Sequence, residues 1–160
     1  MASPLAMLGD YAGRTVDLLA IQDRDYQGNQ PVDLSLFVAG ESRLTAGLQK
    51  LVQRFLLELL TELGSLAYLP RRGCLFLLTG RLGGWRTAAD VEQSFYESLL
   101  DIRRNLIAEE SLDDPLDERF LGADLIASSL DGDRVVLRIE VSSRAERAEF
   151  LFPLAVNIMD

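Results

Sequence analysis

Leu44, Leu48, Leu51, Phe55, Leu59 and Leu63 recur at steps of three and four residues, and Val52, Leu56 and Leu60 widen the same stripe. That period predicts an α-helix over about 42–63, with an apolar face that another element must cover. Gly64 stands where a helix-ending residue takes the left-handed conformation, and Pro70 and Gly73 bend the chain just beyond. A chain of 160 residues is the size of one domain. It can bury roughly 70% of its unfolded surface without a disulfide or metal.

The second helix is the better punctuated. Thr87 with Asp90 and Glu92 supplies an N-cap and an acidic first turn, and Val91, Phe95, Leu99, Ile102 and Leu106 form the apolar stripe. Arg103 and Arg104 fall near its C-terminal end, and Glu109 to Glu118 reads as an acidic linker broken by Pro115. Between the helices, Cys74 to Leu78 reads as a buried strand or a packed loop, and periodicity does not separate the two. Gly80, Gly83 and Gly84 predict a loop, with Trp85 as a core plug or an interface anchor.

The last third alternates. Val135, Leu137, Ile139 and Val141 are separated by Val136, Arg138 and Glu140, and Asp131-Gly132 precedes them as a hairpin turn after the run from Ala123 to Leu130. A charged break, Arg144 to Glu149, leads to Phe150-Leu151-Phe152-Pro153, where Pro153 permits only an edge strand or a bulge. At the other end, Thr15 to Ile21 and Val32 to Val38 read either as a β-hairpin across 15–39 or as an extended arm that gains partners in an assembly. The expectation is an α+β chain: two main amphipathic helices packed on a C-terminal antiparallel ribbon. Its parts are an N-terminal arm or small hairpin (1–42), a core (43–143) and a C-terminal strand or arm (144–160).

Composition narrows the function. The formal net charge of −9 argues against nucleic acid or an anionic membrane as the main partner. Histidine is absent, which removes Ser-His-Asp and Cys-His catalysis and the usual zinc sites. The single cysteine, Cys74, forbids an intramolecular disulfide and reads as a buried thiol. Lys50 is the one lysine among sixteen basic residues, a skew that fits an interface protein or a codon bias. The N-terminus lacks the pattern of a secretory signal, and no run reaches the roughly 18 apolar residues of a membrane span. The carboxylates of the acidic linker lack calcium-loop order, and Gly80 to Gly84 lacks the Lys-Ser/Thr of a phosphate loop. Glu58 and Glu62, four apart, read as the wet face of the first helix. No enzymatic activity, cofactor or metal is expected.

Thr61, Gly64, Ser65, Tyr68, Pro70, Gly73 and Cys74, followed by Thr87, Asp90, Val91, Glu92, Ser98, Arg103 or Arg104, Arg119-Phe120 and the hairpin from Asp131 to Val141, resemble the sheath-initiator, or baseplate wedge, family of contractile tails. The resemblance covers about 44–141 and rests on order and spacing. It departs from the family pattern at Leu66-Ala67, at Arg71 and at Asp117-Glu118-Arg119, where Glu-Pro-Arg is expected, and its acidic linker is longer. The resemblance implies a non-enzymatic subunit of a phage baseplate, a type VI secretion baseplate or an extracellular injection particle, present in several copies. A phage tail assembled in the host cytoplasm is the preferred setting. Its implied partners are wedge proteins and the tail sheath protein, with tube or hub proteins as further candidates. The wedge side would hold Arg119, Asp117, Arg71 and Arg72; the sheath side would hold Val135, Leu137, Ile139 and Val141. The alternative is a soluble α+β adaptor or regulator whose helix-hairpin order imitates the family.

Overall fold

A computed structural model describes residues 17–18 and 44–156. The expected strand at 32–38 and the arm around it lie outside those residues. Asp17–Leu18 (β1) pairs antiparallel with Leu44–Thr45 (β2), immediately before the first helix.

The first helix, α1, spans Gly47–Leu60, shorter than the expected 42–63. Its start is displaced because Gly47 has φ +63° and gives its N–H to the Glu118 carboxylate at 2.9 Å. Leu51, Phe55 and Leu59 are fully buried, as the stripe requires. Gly64 has φ +83°, the left-handed conformation that follows a helix end.

Residues 74–78 form neither a strand nor a loop as a unit. Cys74 makes an isolated parallel bridge to Glu62, and a short helix, α2, runs over Phe76–Arg81. Gly80 lies inside that helix. Its missing side chain leaves room for Trp85, because a Cβ there would sit 2.6 Å from the indole ring. Trp85 is buried and packs on Phe76 with ring centroids 4.6 Å apart, so it is a core plug.

Helix α3 spans Ala88–Ala108 and opens with a capping box between Thr87 and Asp90. Its last turn carries no basic residue; Arg104 pairs with Asp101 one turn back. A 3₁₀ turn at Leu116–Glu118 breaks the acidic linker before the sheet begins.

The sheet is three-stranded and antiparallel, in the order β3 (Phe120–Asp131), β4 (Arg134–Ser143), β5 (Arg147–Ala155). Gly132, at φ +61°, makes the β3–β4 turn, and the Ser143 hydroxyl ties the β4–β5 turn through the N–H groups of Ala145 and Glu146. Of the strand or arm expected at 144–160, Arg147–Ala155 is a strand of the sheet, and Pro153 lies on this edge strand. Helices cover one face of the sheet, giving an α+β, two-layer arrangement. Phe55 is the hinge of the core: it meets Phe95 of α3 at 6.2 Å and stacks on Phe120 of β3 at 6.1 Å. Each such fully buried ring contributes on the order of 2–3 kcal/mol of transfer free energy.

Candidate functional site

The backbone of the sheet has two edges, and the fold treats them differently. In the β3–β4–β5 register, the β5 residues whose N–H and C=O bond to β4 are those in phase with Val156, which donates to the Asp133 carbonyl at 2.8 Å. Ala148, Phe150, Phe152 and Leu154 therefore bond inward, while Glu149, Leu151, Pro153 and Ala155 turn their main-chain groups away from β4. On β3 the outward groups belong to the other phase, and α3 packs against that strand and takes one of them. The Leu125 N–H donates to the Tyr96 hydroxyl at 3.3 Å, and the Ser128 hydroxyl donates to the Ala88 carbonyl at 3.3 Å. Among the described residues, β5 is the uncovered edge.

Side chains beside that edge are mixed in character. Arg138 is paired with Glu149 diagonally across the β4–β5 ladder, and Leu151, directly opposite Arg138, is exposed. Arg138, Glu149, Phe150 and Leu151 line a shallow hollow of about 480 Å³. Pro153 leaves one gap in the row of outward donors, a feature that limits indiscriminate strand pairing.

Val135, Leu137, Ile139 and Val141, expected to meet a sheath partner, are buried on the helix-facing side of β4. Their strand is central and hydrogen-bonded on both sides. They hold the core, and neither their side chains nor their backbone is available to an added strand. Alternation identified the buried face but not which strand lies in the middle.

Of the four residues expected on the wedge side, Arg71 and Arg72 meet the C-terminal end of α3, whereas Arg119 and Asp117 belong to the linker and the 3₁₀ turn that follow it. Arg72 forms ion pairs with Glu58 and with Glu109, and the carbonyl of its neighbour Arg71 accepts from Asn105 Nδ2 at 3.1 Å. Glu110, next to Glu109, accepts the Phe120 N–H at the start of β3. Arg119 donates to the Asp114 carbonyl at 2.9 Å and to the Leu112 carbonyl, so it organises the acidic linker from within. Asp117 is half-buried in the 3₁₀ turn. Of the four, Arg71 is the exposed side chain. The neighbour of Arg119, Glu118, is buried and clamps α1 through Gly47 and through Lys50 Nζ at 3.0 Å.

Glu58 lies on no wet face. It is 3% exposed and receives the Gly73 N–H at 2.9 Å, Asn105 Nδ2 at 2.9 Å and the Arg72 guanidinium. Glu62, its partner in spacing, is half-exposed and pairs with Arg81. Spacing within one helix carries no signal for this role, because the groups that bury Glu58 come from the following loop and from α3. Beside it, Cys74 is fully buried with its thiol directed at the Leu59 carbonyl at 3.5 Å. Burial pushes that thiol's pKa up, against weaker lowering by the Phe76 backbone and the Ser98 side chain.

The resulting surface can add a strand and can present rigid loops. Among the described residues no helix is long and apolar enough to cross a membrane, and no group of three or more His, Cys, Asp or Glu gathers where it could hold a metal ion. The chain matches no protein-family profile, no curated protein and no solved structure.

Proposed function

We propose that this chain is a structural baseplate component of a contractile tail or injection machine, joining wedge proteins to the first ring of sheath. The observation that carries the reading is the asymmetry of the sheet: α3 packs on β3 and its Tyr96 takes the Leu125 N–H, whereas the outward main-chain groups of β5 are uncovered among the described residues. An open edge next to a stable core is the physical requirement for strand addition, in which main-chain hydrogen bonds supply affinity without a deep pocket. The order of elements, with a Gly64-ended helix, a capped second helix and a terminal ribbon, supports the same reading through the family resemblance. In this proposal the sheath contact moves from the side chains of β4 to the backbone of β5. The wedge contact is placed at the C-terminal end of α3.

The test is co-purification with the sheath and wedge proteins encoded beside this chain. Leu151→Pro removes one outward donor and leaves the inward β4–β5 bonds in place, while Glu149→Lys keeps the backbone and changes the edge charge. Loss of sheath binding in Leu151→Pro, with wedge binding kept, is the expected result. A wild-type chain that binds neither protein would overturn the proposal and leave an adaptor of another kind.

A further inference from the structure

Residues 63–89 contain Arg71, Arg72, Arg81 and Arg86 and no Asp or Glu. This stretch carries a formal charge of +4 in a chain of −9, which leaves −13 on all other residues. At its start the chain makes a loop whose apolar side chains point into solvent: Leu66 is 44% exposed, Leu69 56% and Tyr68 98%.

That loop is not loosely held. Its base is closed by Leu63 N–H to the Cys74 carbonyl at 3.0 Å and Cys74 N–H to the Thr61 carbonyl at 2.9 Å. Three successive turns follow the chain between them, with N–H donors at Ser65, Leu69 and Arg72 and acceptors at Glu62, Leu66 and Leu69. Buried Glu58 pins Gly73, and Asn105 pins the Arg71 carbonyl. A rigid frame that holds three large apolar side chains in water is unfavourable for the free chain. It favours binding, because little loop freedom remains to be lost. An aromatic anchor beside an exposed arginine is the composition of an interface hot spot.

We infer that the 63–72 loop is a preformed plug that inserts Leu66, Tyr68 and Leu69 into an apolar cleft rimmed by carboxylates on a wedge protein. The carboxylate rim follows from charge: Arg71 is exposed within the longest acid-free stretch of an acidic chain, so it selects a partner of opposite sign. A lipid surface fits less well. An anionic bilayer repels a chain of −9, and one shallow apolar loop is a weak anchor. The inference rests on the baseplate reading and names the residues of its wedge contact.

The experiment measures binding of the full chain to the neighbouring wedge proteins and, in parallel, to the sheath protein. Three variants are compared with wild type: the double substitution Tyr68→Ser with Leu69→Ser, Arg71→Glu, and Tyr68→Phe. Because these side chains are exposed, the variants keep the wild-type unfolding midpoint. The double variant is expected to weaken wedge binding by about 30-fold or more. Arg71→Glu weakens it by about 10-fold at low salt, less at high salt. Tyr68→Phe retains most of the affinity, and sheath binding stays unchanged throughout. Wedge binding within about twofold of wild type in the double variant would overturn the loop while leaving the baseplate reading intact. Wild-type chain that binds neither protein overturns both. Tyr68-dependent dimerisation, or Tyr68-dependent sedimentation with phosphatidylcholine–phosphatidylglycerol vesicles, would replace the wedge cleft with another occupant and overturn the inference.

Discussion

The carboxylate of Glu58 accepts the backbone N–H of Gly73, fifteen residues further along the chain, at 2.9 Å. The same carboxylate takes Asn105 from α3 and Arg72 from the loop, so one buried side chain joins three segments. Replacing it with alanine strands two donors and the Arg72 charge. Because Arg72 retains access to water and to Glu109, the expected loss is about 2–3 kcal/mol rather than the larger figure for a fully buried pair. Urea unfolding of Glu58→Ala measures it. A loss below about 0.5 kcal/mol would mean that the clasp is dispensable.

Gly64 and Gly73 have nearly the same backbone conformation, φ +83° and φ +82°, but different surroundings. A Cβ at Gly64 meets nothing within 4 Å, whereas one at Gly73 would lie 2.1 Å from the Thr61 carbonyl oxygen. Alanine at Gly64 is expected to cost about 1 kcal/mol, the strain of the left-handed conformation alone. Alanine at Gly73 adds a backbone clash that side-chain motion cannot relieve, and it destabilises by at least about 2 kcal/mol more. Equal effects in paired unfolding experiments would show that the loop base can shift freely.

Asp90 closes the capping box. Its carboxylate accepts the N–H groups of Arg86 at 3.0 Å and Thr87 at 2.8 Å, and these bonds hold its pKa below the ordinary aspartate value. A depressed pKa means that the folded state binds the proton more weakly than the unfolded state. The stability Asp90 contributes is therefore present above the unfolded-state pKa and is lost as pH falls through the lower, folded value. A carboxyl titration followed by NMR should give a midpoint below that of the unfolded chain. Asp90→Asn should flatten this part of the acid-unfolding profile. A midpoint at or above the unfolded value would contradict the capping geometry.

Capping and turn signals were legible because both partners lie within a few residues. Thr87 and Asp90 are three apart, and Gly132 sits in the two-residue turn between Asp131 and Arg134. The buried face of β4 was legible from alternation alone. What escaped depends on distant chain. Glu58 looked exposed because its spacing to Glu62 is a helical one, while its burial comes from Asn105, forty-seven residues away. Helix α1 starts at Gly47 rather than near Ser42 because Glu118, seventy-one residues on, takes that N–H. Residues 74–78 were ambiguous because a short apolar run suits a buried strand and a packed helix equally. The open edge of β5 depends on strand order, which hydrophobic periodicity does not encode.

Cys74 is fully buried, and burial pushes its thiol pKa up. The thiolate is the reactive form, so the native chain should react with a thiol reagent only through opening of the structure. Labelling should be slow in buffer and accelerate with urea in proportion to the unfolded population. The raised pKa also fixes a sign: the folded state holds this proton more tightly, so stability falls as pH rises above the unfolded-state thiol value. Rapid stoichiometric labelling in native buffer would place the thiol at the surface.

Leu137 and Leu151 lie on adjacent strands of one sheet but face opposite ways, and they separate a packing role from a binding role. Leu137 is fully buried on β4, whereas Leu151 is 39% exposed on β5. Leu137→Ala removes core contacts and is expected to cost about 2–5 kcal/mol, with any loss of partner binding following the loss of folded protein. Leu151→Ala is expected to change stability by less than about 1 kcal/mol. Leu151→Pro also deletes the outward N–H that an added strand would use. Binding corrected for the folded fraction is the measurement that decides. If Leu137→Ala reduces sheath affinity per folded molecule while Leu151→Pro does not, the sheath contact lies elsewhere than the β5 edge.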